Sequence, residues 1–231
     1  MKIGIIGAGN IGATLTRRLR QLGHEVTVAN SRGPQSLADL ARETGARAAA
    51  AEEAARGNDV VIVTIPEKNI PDLPRDLFTG VPENVVIVDT GNYYPRQRDG
   101  RIEGLESGKT ESRWVSEQIG RPVIKTFNNI YAAHLMNGGK PKGAKDRIAL
   151  PVAGDDPTAK ELVMRLVDEL GFDPVDAGTI DDSWRQQPGS PVYTGDYDAS
   201  GVRDALGRAH RERDSAWSGT SQSPGDFQNP R

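Results

Sequence analysis

The chain has 231 residues, 36% of them hydrophobic and 26% charged, which is enough for one domain with an appendage or for two small domains. Its net charge of −3 argues against a nucleic-acid-binding surface, and no apolar run approaches the roughly 18 residues of a membrane span. It has no cysteine, which excludes disulfides and cysteine nucleophiles, and its three histidines lack metal-ligand spacing. We therefore expect no metal site. The first predicted strand starts at the N-terminus and leaves no room for a signal peptide, so we expect a cytoplasmic protein.

The first 32 residues predict a strand, a glycine-rich turn, a helix and a second strand. The apolar run from Lys2 to Ile6 leads directly into Gly7-Ala8-Gly9-Asn10-Ile11-Gly12. A helical pattern covers residues 11–22, and a second apolar run at residues 25–29 ends at Asn30-Ser31-Arg32. A Gly-x-Gly-x-x-Gly turn between a strand and a helix is typical of a dinucleotide-binding βαβ unit.

Each glycine of this turn has its own physical role. Gly7 permits the tight turn, Gly9 lets a pyrophosphate approach the backbone, and Gly12 lets the helix pack close to the sheet. The N–H groups at the helix start, which includes Asn10 and Ile11, would then face the phosphates. The alternative is a glycine-rich turn on an α/β domain that binds no nucleotide.

The end of the second strand predicts which nucleotide is preferred. Asn30, Ser31 and Arg32 stand where an NAD-dependent enzyme usually has Asp or Glu. A guanidinium and a hydroxyl can hold a 2′-phosphate, which a carboxylate would repel. We therefore expect NADP(H) rather than NAD(H), the alternative being an ordinary polar turn with an exposed arginine.

Strands and helices continue to alternate along the rest of the chain. We predict further strands at residues 47–49, 59–65, 85–88, 122–127, 148–153 and 172–175, and further helices at 34–45, 51–56, 112–119, 132–136 and 156–170. This alternation is typical of an α/β fold, here a Rossmann-type, doubly wound, mainly parallel sheet with a small C-terminal helical extension. Residues 93–108 are expected to form a long polar loop.

The pattern changes after residue 178, which suggests a division of the chain. Residues 1–178 are expected to form an NADP-binding Rossmann-type domain with an extended sheet. Residues 179–217 are expected to form a small helical segment at the acceptor side or at a dimer contact, with one charged helix from Val202 to Trp217. Residues 218–231 are rich in Gly, Ser, Pro, Gln and Asn, and we expect a flexible tail.

Three further turns follow strands whose carboxyl ends share one edge of the predicted sheet. Ligands of open α/β sheets bind beyond these ends, so we expect the nicotinamide to lie there. The candidate contacts are Thr64, Ile65, Pro66, Gly91, Asn92, Asn128, Asn129 and Ile130. The alternative for Asn128 and Asn129 is that their side chains cap a loop.

The sequence offers no acid–base pair. Asp89 stands alone at a strand end, and His134 lies on a short helix where a packed or surface histidine is more common than a catalyst. Hydride transfer between two bound rings needs positioning and exclusion of water more than a general acid, so we predict no catalytic residue. A carbonyl dehydrogenase would normally need a Tyr, Lys or His proton donor, which no motif identifies.

Six of these segments together carry a resemblance to a known family. They are Gly7–Gly12, Asn30–Arg32, Thr64–Pro66, Val123–Ile130, Val152–Asp156 and Asp176–Gly178. In this order they resemble the NADP-dependent reductases of the deazaflavin coenzyme F-420, over residues 1–185. Val88–Asn92 and Lys125–Asn128 also resemble the cytosolic domain of the STEAP metalloreductases, which passes hydride from NADPH to a flavin.

The resemblance implies an NADPH-dependent oxidoreductase that transfers hydride to a flavin-like or deazaflavin acceptor, which could be F-420, FAD or FMN. It implies phosphates at Gly9–Gly12, the 2′-phosphate at Ser31 and Arg32, and the nicotinamide, stacked against a second ring system, near Ile65, Pro66, Asn128 and Ile130. It also implies a small-molecule acceptor and a homodimer. Two alternatives remain, namely reduction of a small imine or carbonyl compound and a non-catalytic NADPH-binding module.

Overall fold

A computed structural model describes residues 1–212, and a six-stranded sheet with helices on both faces forms its centre. The strands are β1 (Lys2–Ile6), β2 (Glu25–Ala29), β3 (Arg47–Ala48), β4 (Val60–Val63), β5 (Val86–Asp89) and β6 (Ile124–Lys125). They lie in the order β3-β2-β1-β4-β5-β6, and every neighbouring pair is parallel. The prediction of a doubly wound, Rossmann-type sheet is therefore confirmed.

Eight α-helices are present in the described part of the chain. They are α1 (Asn10–Gln21), α2 (Ala38–Thr44), α3 (Ala51–Ala55), α4 (Glu103–Glu106), α5 (Glu111–Ile119), α6 (Ala132–Asn137), α7 (Pro157–Glu169) and α8 (Ala199–Gly207). Short 3-10 turns cover Pro34–Leu37, Glu67–Asp72 and Ile180–Gln186. No helix within residues 1–212 is long and apolar enough to cross a bilayer, and none of the His and acidic residues there gather into a metal-binding group.

The core consists of two layers, one on each face of the sheet. Successive residues of β4 alternate between them, so that Ile62 packs in the layer of α1 and α7, whereas Val61 packs in the layer of α3 and α5. All four residues of β4 are buried, as expected for a parallel strand covered on both faces. The continuous apolar run that predicted this strand is therefore explained by the two covering layers.

A second, two-stranded parallel sheet continues the first one beyond β6. It consists of β7 (Ala149–Val152) and β8 (Asp173–Asp176). Lys125 of β6 and Ala153 form an antiparallel bridge, with backbone N···O distances of 2.8 and 3.0 Å. The mainly parallel sheet thus has an antiparallel junction at this edge.

The predicted polar loop at residues 93–108 is wrong. A π-helical turn covers Pro95–Asp99 and α4 follows it, while Tyr93 and Leu105 are fully buried. The Tyr93 hydroxyl lies 2.8 Å from the Gly100 carbonyl oxygen and accepts a hydrogen bond from the N–H of Ile102 at 3.0 Å. One buried aromatic ring therefore orders a segment that has no hydrophobic periodicity.

The predicted helix from Val202 to Trp217 is wrong at both ends. Helix α8 starts at Ala199, because the Asp198 side chain caps it by accepting from the N–H of Gly201, and it ends at Gly207. The last residues of the predicted helix and the predicted tail at 218–231 lie outside the described residues.

Candidate functional site

The turn between β1 and α1 contains three glycines with different surroundings. Gly7 has a φ of 109°, and a Cβ there would overlap the carbonyl group of Thr64. A Cβ on Gly12 would overlap the carbonyl oxygen of Gly7. A Cβ on Gly9, in contrast, would meet no atom within 4 Å. Packing inside the protein therefore requires Gly7 and Gly12, whereas Gly9 borders open space that a ligand could fill.

Helix α1 presents an uncapped N-terminus to that space. Its N-cap residue is Gly9, which makes no side-chain hydrogen bond, and its first turn contains no acidic residue. Asn10 is exposed and Ile11 is half-buried. Unpaired N–H groups and the positive end of the helix dipole make this end suitable for phosphate.

The loop after β2 is ordered by Asn30. The Asn30 Oδ1 atom accepts from the N–H of Arg32 at 3.0 Å, and its Nδ2 atom donates to Ser36 Oγ at 2.9 Å. The exposed side chains of Ser31 and Arg32 make no hydrogen bond or ion pair to any other described residue. Asn30 therefore shapes the loop, and a hydroxyl and a guanidinium remain available for a ligand.

All five predicted turns lie at one edge of the sheet, because they follow the adjacent parallel strands β2, β1, β4, β5 and β6. Thr64, Ile65 and Pro66 are half-buried and lie next to the glycine turn, with Ile65 Cγ2 only 2.8 Å from where a Gly7 Cβ would stand. The predicted contacts in this turn therefore lie beside the glycine turn that borders the open space at Gly9.

A closed amide network joins the turns after β5 and β6. Asn92 Nδ2 donates to the Asn128 carbonyl oxygen at 2.8 Å, and Asn128 Nδ2 donates to Asn92 Oδ1 at 3.0 Å. Asn128 Nδ2 also donates to the carbonyl oxygen of Gln186 at 2.7 Å, while Gln186 Nε2 donates to Asn128 Oδ1 at 3.0 Å. Sequence reasoning missed Gln186, since nothing in its polar surroundings marks it.

This network changes what the turn after β6 can do. Asn128, Asn129 and Ile130 are 4%, 4% and 5% exposed, and the Asn128 carboxamide is fully engaged inside the protein. These side chains therefore stabilise the turn from inside the protein, as expected from the alternative in which the Asn128 side chain caps a loop. An effect on a ligand would come through the position of the backbone.

A buried cluster of charged side chains lies beneath the same edge. Asp89 and Lys125 are direct neighbours across β5 and β6, and the Lys125 Nζ atom donates to Asp89 Oδ2 at 3.0 Å and to the Gly91 carbonyl oxygen at 2.6 Å. Asp89 also accepts from the N–H of Gly91 at 2.9 Å and from Ser112 Oγ at 2.6 Å. The expectation that Asp89 stands alone is therefore wrong.

Two further carboxyl groups are buried in this cluster. Glu67 and Glu111 are fully buried, and Lys125 Nζ lies 3.9 Å from Glu111 Oε2. Burial and the negative charge of Asp89 raise the pKa of Glu67 well above its ordinary value. Burial would lower the pKa of Lys125, but the nearby carboxyl groups outweigh it and raise that pKa. The surroundings therefore favour the charged form of Lys125 and the protonated form of Glu67.

Two tyrosines, one after β5 and one in the segment before α8, are in contact, and neither was singled out in the sequence. The hydroxyl groups of Tyr94 and Tyr193 are hydrogen-bonded to each other. The segment that carries Tyr193 is tied to the turn after β6, because the N–H of Thr194 donates to the Asn129 carbonyl oxygen at 2.9 Å. Burial raises the pKa of both tyrosines. The pair thus offers tyrosine hydroxyl groups, a type of proton donor that no sequence motif identified.

His134 lies on the exposed side of α6. Its side chain is 46% exposed and is paired with Asp196, and the ring of Tyr131 packs edge-on against it at 5.5 Å between centroids. This placement is that of a surface histidine.

A family model described as "NADP oxidoreductase coenzyme F420-dependent" matches residues 2–93. The crystal structure of a hypothetical protein, SMa0349, from Sinorhizobium meliloti is 32% identical and superposes with a TM-score of 0.70, over 83% of this chain and 92% of the other. A candidate F-420-dependent NADP reductase from Arthrobacter sp. FB24 is 26% identical, with a TM-score of 0.63 over 80% of this chain and 87% of the other.

Among curated proteins, metalloreductase STEAP3 of Rattus norvegicus is 27% identical over 182 residues, which is 78% of this chain and 34% of that protein. The chain spans between 34% and 57% of the length of the curated relatives it matches. The likeness to the STEAP metalloreductases extends beyond the first βαβ unit to most of the described chain.

We predict that Gly9→Val abolishes NADPH binding and leaves the fold intact. The φ of Gly9 is −74°, which valine can adopt, and the new side chain would fill only the open space beside α1. Binding is measured by NADPH fluorescence, and folding by circular dichroism. Gly207→Val is the matched control, because a Cβ there also meets no atom within 4 Å. Normal NADPH binding by a folded Gly9→Val variant would show that the phosphates lie elsewhere.

We predict that Glu67→Gln changes how stability depends on pH. The pKa of Glu67 is raised in the folded state, so the folded protein binds this proton more tightly than the unfolded chain does. The resulting stability is lost as the pH rises from the ordinary glutamate pKa of the unfolded chain through the raised pKa of the folded state. Glutamine stays neutral, so the variant should lack this decline, which can reach about 1.4 kcal/mol per pH unit. Urea unfolding from about pH 5 to about pH 8 measures it. The exposed Glu83→Gln variant should keep the wild-type slope, and an unchanged slope in Glu67→Gln would contradict the prediction.

Proposed function

We propose that the chain transfers hydride between NADP(H) and a flavin-like or deazaflavin acceptor, because residues 2–93 match the family model of coenzyme F-420-dependent NADP oxidoreductases. The names of two similar proteins, a candidate F-420-dependent NADP reductase and a metalloreductase, support an acceptor of this class. F-420, FAD and FMN are the candidate acceptors.

The observation that carries the proposal is the open space at Gly9, between two glycines that packing requires and beside the uncapped start of α1. The N–H groups of Asn10, Ile11 and Gly12 hold the pyrophosphate there, while Ser31 and Arg32 hold the 2′-phosphate. NADPH, when bound, supplies the hydride from its nicotinamide ring.

The protein's own contribution at the acceptor side is positioning. Ile65 and Pro66 offer a partly exposed apolar surface beside the glycine turn, on which a flat ring can rest. The Lys125–Asp89 pair and the Asn92–Asn128 network hold the turns after β5 and β6 in place. A rigid, partly dry edge is what hydride transfer by proximity requires, and no catalytic residue is assigned.

An anaerobic NADPH oxidation assay with F-420, FMN, FAD and a ferric chelate tests this function. We expect oxidation with at least one ring acceptor. Tight NADPH binding without oxidation by any acceptor would favour the non-catalytic module, and absence of NADPH binding would refute both. The homodimer, the domain division at residue 178 and the cytoplasmic location stay predictions. Light scattering would check the homodimer.

A second candidate function is reduction of a small imine or carbonyl compound. The hydrogen-bonded pair of Tyr94 and Tyr193 favours it, because such a reaction needs a proton donor. Reduction of a flavin-like ring needs no such donor from the protein, since the second proton can come from water.

We predict that Arg32→Ala weakens NADPH binding by about 1.5–3 kcal/mol and leaves NADH binding nearly unchanged. The exposed guanidinium has no other partner among the described residues, so its removal disturbs only a contact to the 2′-phosphate. Fluorescence titration with both nucleotides measures the effect. Arg42→Ala on neighbouring α2, where the arginine pairs with Asp39, is the control. Equal weakening for NADPH and NADH would refute the assignment of the 2′-phosphate.

We predict that Tyr193→Phe lowers kcat less than about tenfold with a flavin-like acceptor, because no general acid is needed. Loss of a true proton donor costs roughly 10²- to 10⁴-fold, so the same variant distinguishes the two candidate functions. Steady-state kinetics at saturating NADPH measures kcat. Tyr197→Phe, in the same segment but 37% exposed, is the control. A hundredfold loss confined to Tyr193→Phe would favour imine or carbonyl reduction.

A further inference from the structure

A cavity of about 640 Å³ lies between the start of α5 and the chain that follows α8. Residues 106–110, 184, 187–191, 208 and 210–212 contribute its walls. None of the nucleotide contacts proposed above is among them. Its volume falls in the range of small-molecule sites, about 300–1,000 Å³.

Three polar side chains on its walls have buried atoms without a hydrogen-bond partner within the described residues. They are Thr110 Oγ1, Gln187 Nε2 and Ser190 Oγ. Thr110 and Gln187 are only 7% and 4% exposed. Buried polar groups are nearly always paired, and each of these three can donate a hydrogen bond. The walls therefore suit a ligand rich in acceptor oxygens.

Two arginines on the same walls add positive charge. Arg211 lies over the ring of Trp184, with its guanidinium carbon 5.3 Å from the ring centroid, which holds the side chain in place. Arg208 makes no side-chain hydrogen bond or ion pair to another described residue. Two carboxylates, Glu106 and Glu212, also line the cavity, and Glu106 Oε1 lies 2.8 Å from a buried tyrosine hydroxyl.

The start of α5 strengthens the attraction for an anion. Thr110 is the N-cap residue of this nine-residue helix, yet its hydroxyl makes no capping bond. The positive end of the helix dipole therefore faces the cavity wall that Thr110 forms. Glu111, the acidic residue of the first turn, is buried with Lys125 instead.

We propose that this cavity binds the oxyanion of a small organic phosphate or carboxylate and, resting on the proposed function, that this ligand is the acceptor. Two residues of the cavity wall are close in sequence to groups that fix the sheet edge. Gln187 follows Gln186, which bonds to Asn128, and Thr110 precedes the helical turn in which Ser112 bonds to Asp89. An acceptor with an anionic tail would thus be held next to the edge where its ring must lie.

FMN and riboflavin test the proposal, because they share one ring system and only FMN has a phosphate. Each is titrated by flavin fluorescence against the full-length protein saturated with NADP⁺, which cannot reduce the flavin, and inorganic phosphate is added as competitor. We expect FMN to bind at least about tenfold more tightly than riboflavin, with phosphate competing. Arg208→Ala should remove the difference. Arg203→Ala should keep it, because Arg203 is exposed on α8 and its side chain donates to the Ala199 carbonyl oxygen of its own helix.

Gln187→Leu and Thr110→Val provide a readout that does not depend on activity. Each removes a buried polar atom that lacks a partner, so the melting temperature of the free protein should stay unchanged or rise. FMN affinity should fall roughly threefold to tenfold in the same variants. A lower melting temperature with unchanged FMN affinity would mean that these atoms serve the fold, which would overturn the proposal.

The outcomes separate this proposal from the proposed function. Arg208-dependent binding of FMN without any NADPH oxidation would support the oxyanion cavity and refute the flavin acceptor. If NADPH reduces both FMN and riboflavin, and the two bind with equal affinity that Arg208→Ala does not change, the proposed function is supported and the oxyanion cavity is refuted.

Discussion

The carboxyl edge of the sheet depends on one fully buried ion pair, between Lys125 and Asp89. The two residues are neighbours across β5 and β6, and both are shielded from water. Lys125 also holds the Gly91 carbonyl oxygen through its side chain and Ala153 through its backbone. Strands β5 and β6, the turn after β5 and the residue that follows β7 are therefore all joined through Lys125. Removing one partner of such a pair typically costs about 3–5 kcal/mol, because a buried charge is left uncompensated.

The charge balance of this cluster explains why the pKa of one of its carboxyl groups, that of Glu67, is raised. Lys125 provides one positive charge, and Asp89 lies closest to it. Both oxygens of Glu67 lack a hydrogen-bond partner among the described residues, and a negative charge there would be costly. Protonating Glu67 avoids that cost. A Cβ at position 91 would stand 2.4 Å from Glu67 Oε1, so any larger residue there would displace the Glu67 carboxyl group.

The parts of the fold that could be predicted are those whose signals are local. The strand, turn and helix from Lys2 to Gln21 are encoded in one contiguous pattern, and their bounds agree with the prediction to within about one residue. The buried cluster could not be predicted, because Asp89 meets Ser112 and Lys125 from 23 and 36 residues away. Likewise, Gln186 reaches Asn128 across 58 residues. Such contacts are set by strand register and packing, which single-sequence patterns do not reveal.

The junction between the two sheets has a consequence for local unfolding. Within the described residues, the pair β7–β8 connects to the six-stranded sheet through two backbone hydrogen bonds, those between Lys125 and Ala153, although it has its own helix α7 and a shared apolar core. Its other backbone partners, such as the Tyr197 carbonyl oxygen that accepts from the N–H of Ala149, lie outside that sheet. A unit with so few backbone links can open as a separate foldon, so amide exchange at Ala153 would report the undocking of β7–β8 while the parallel sheet stays protected.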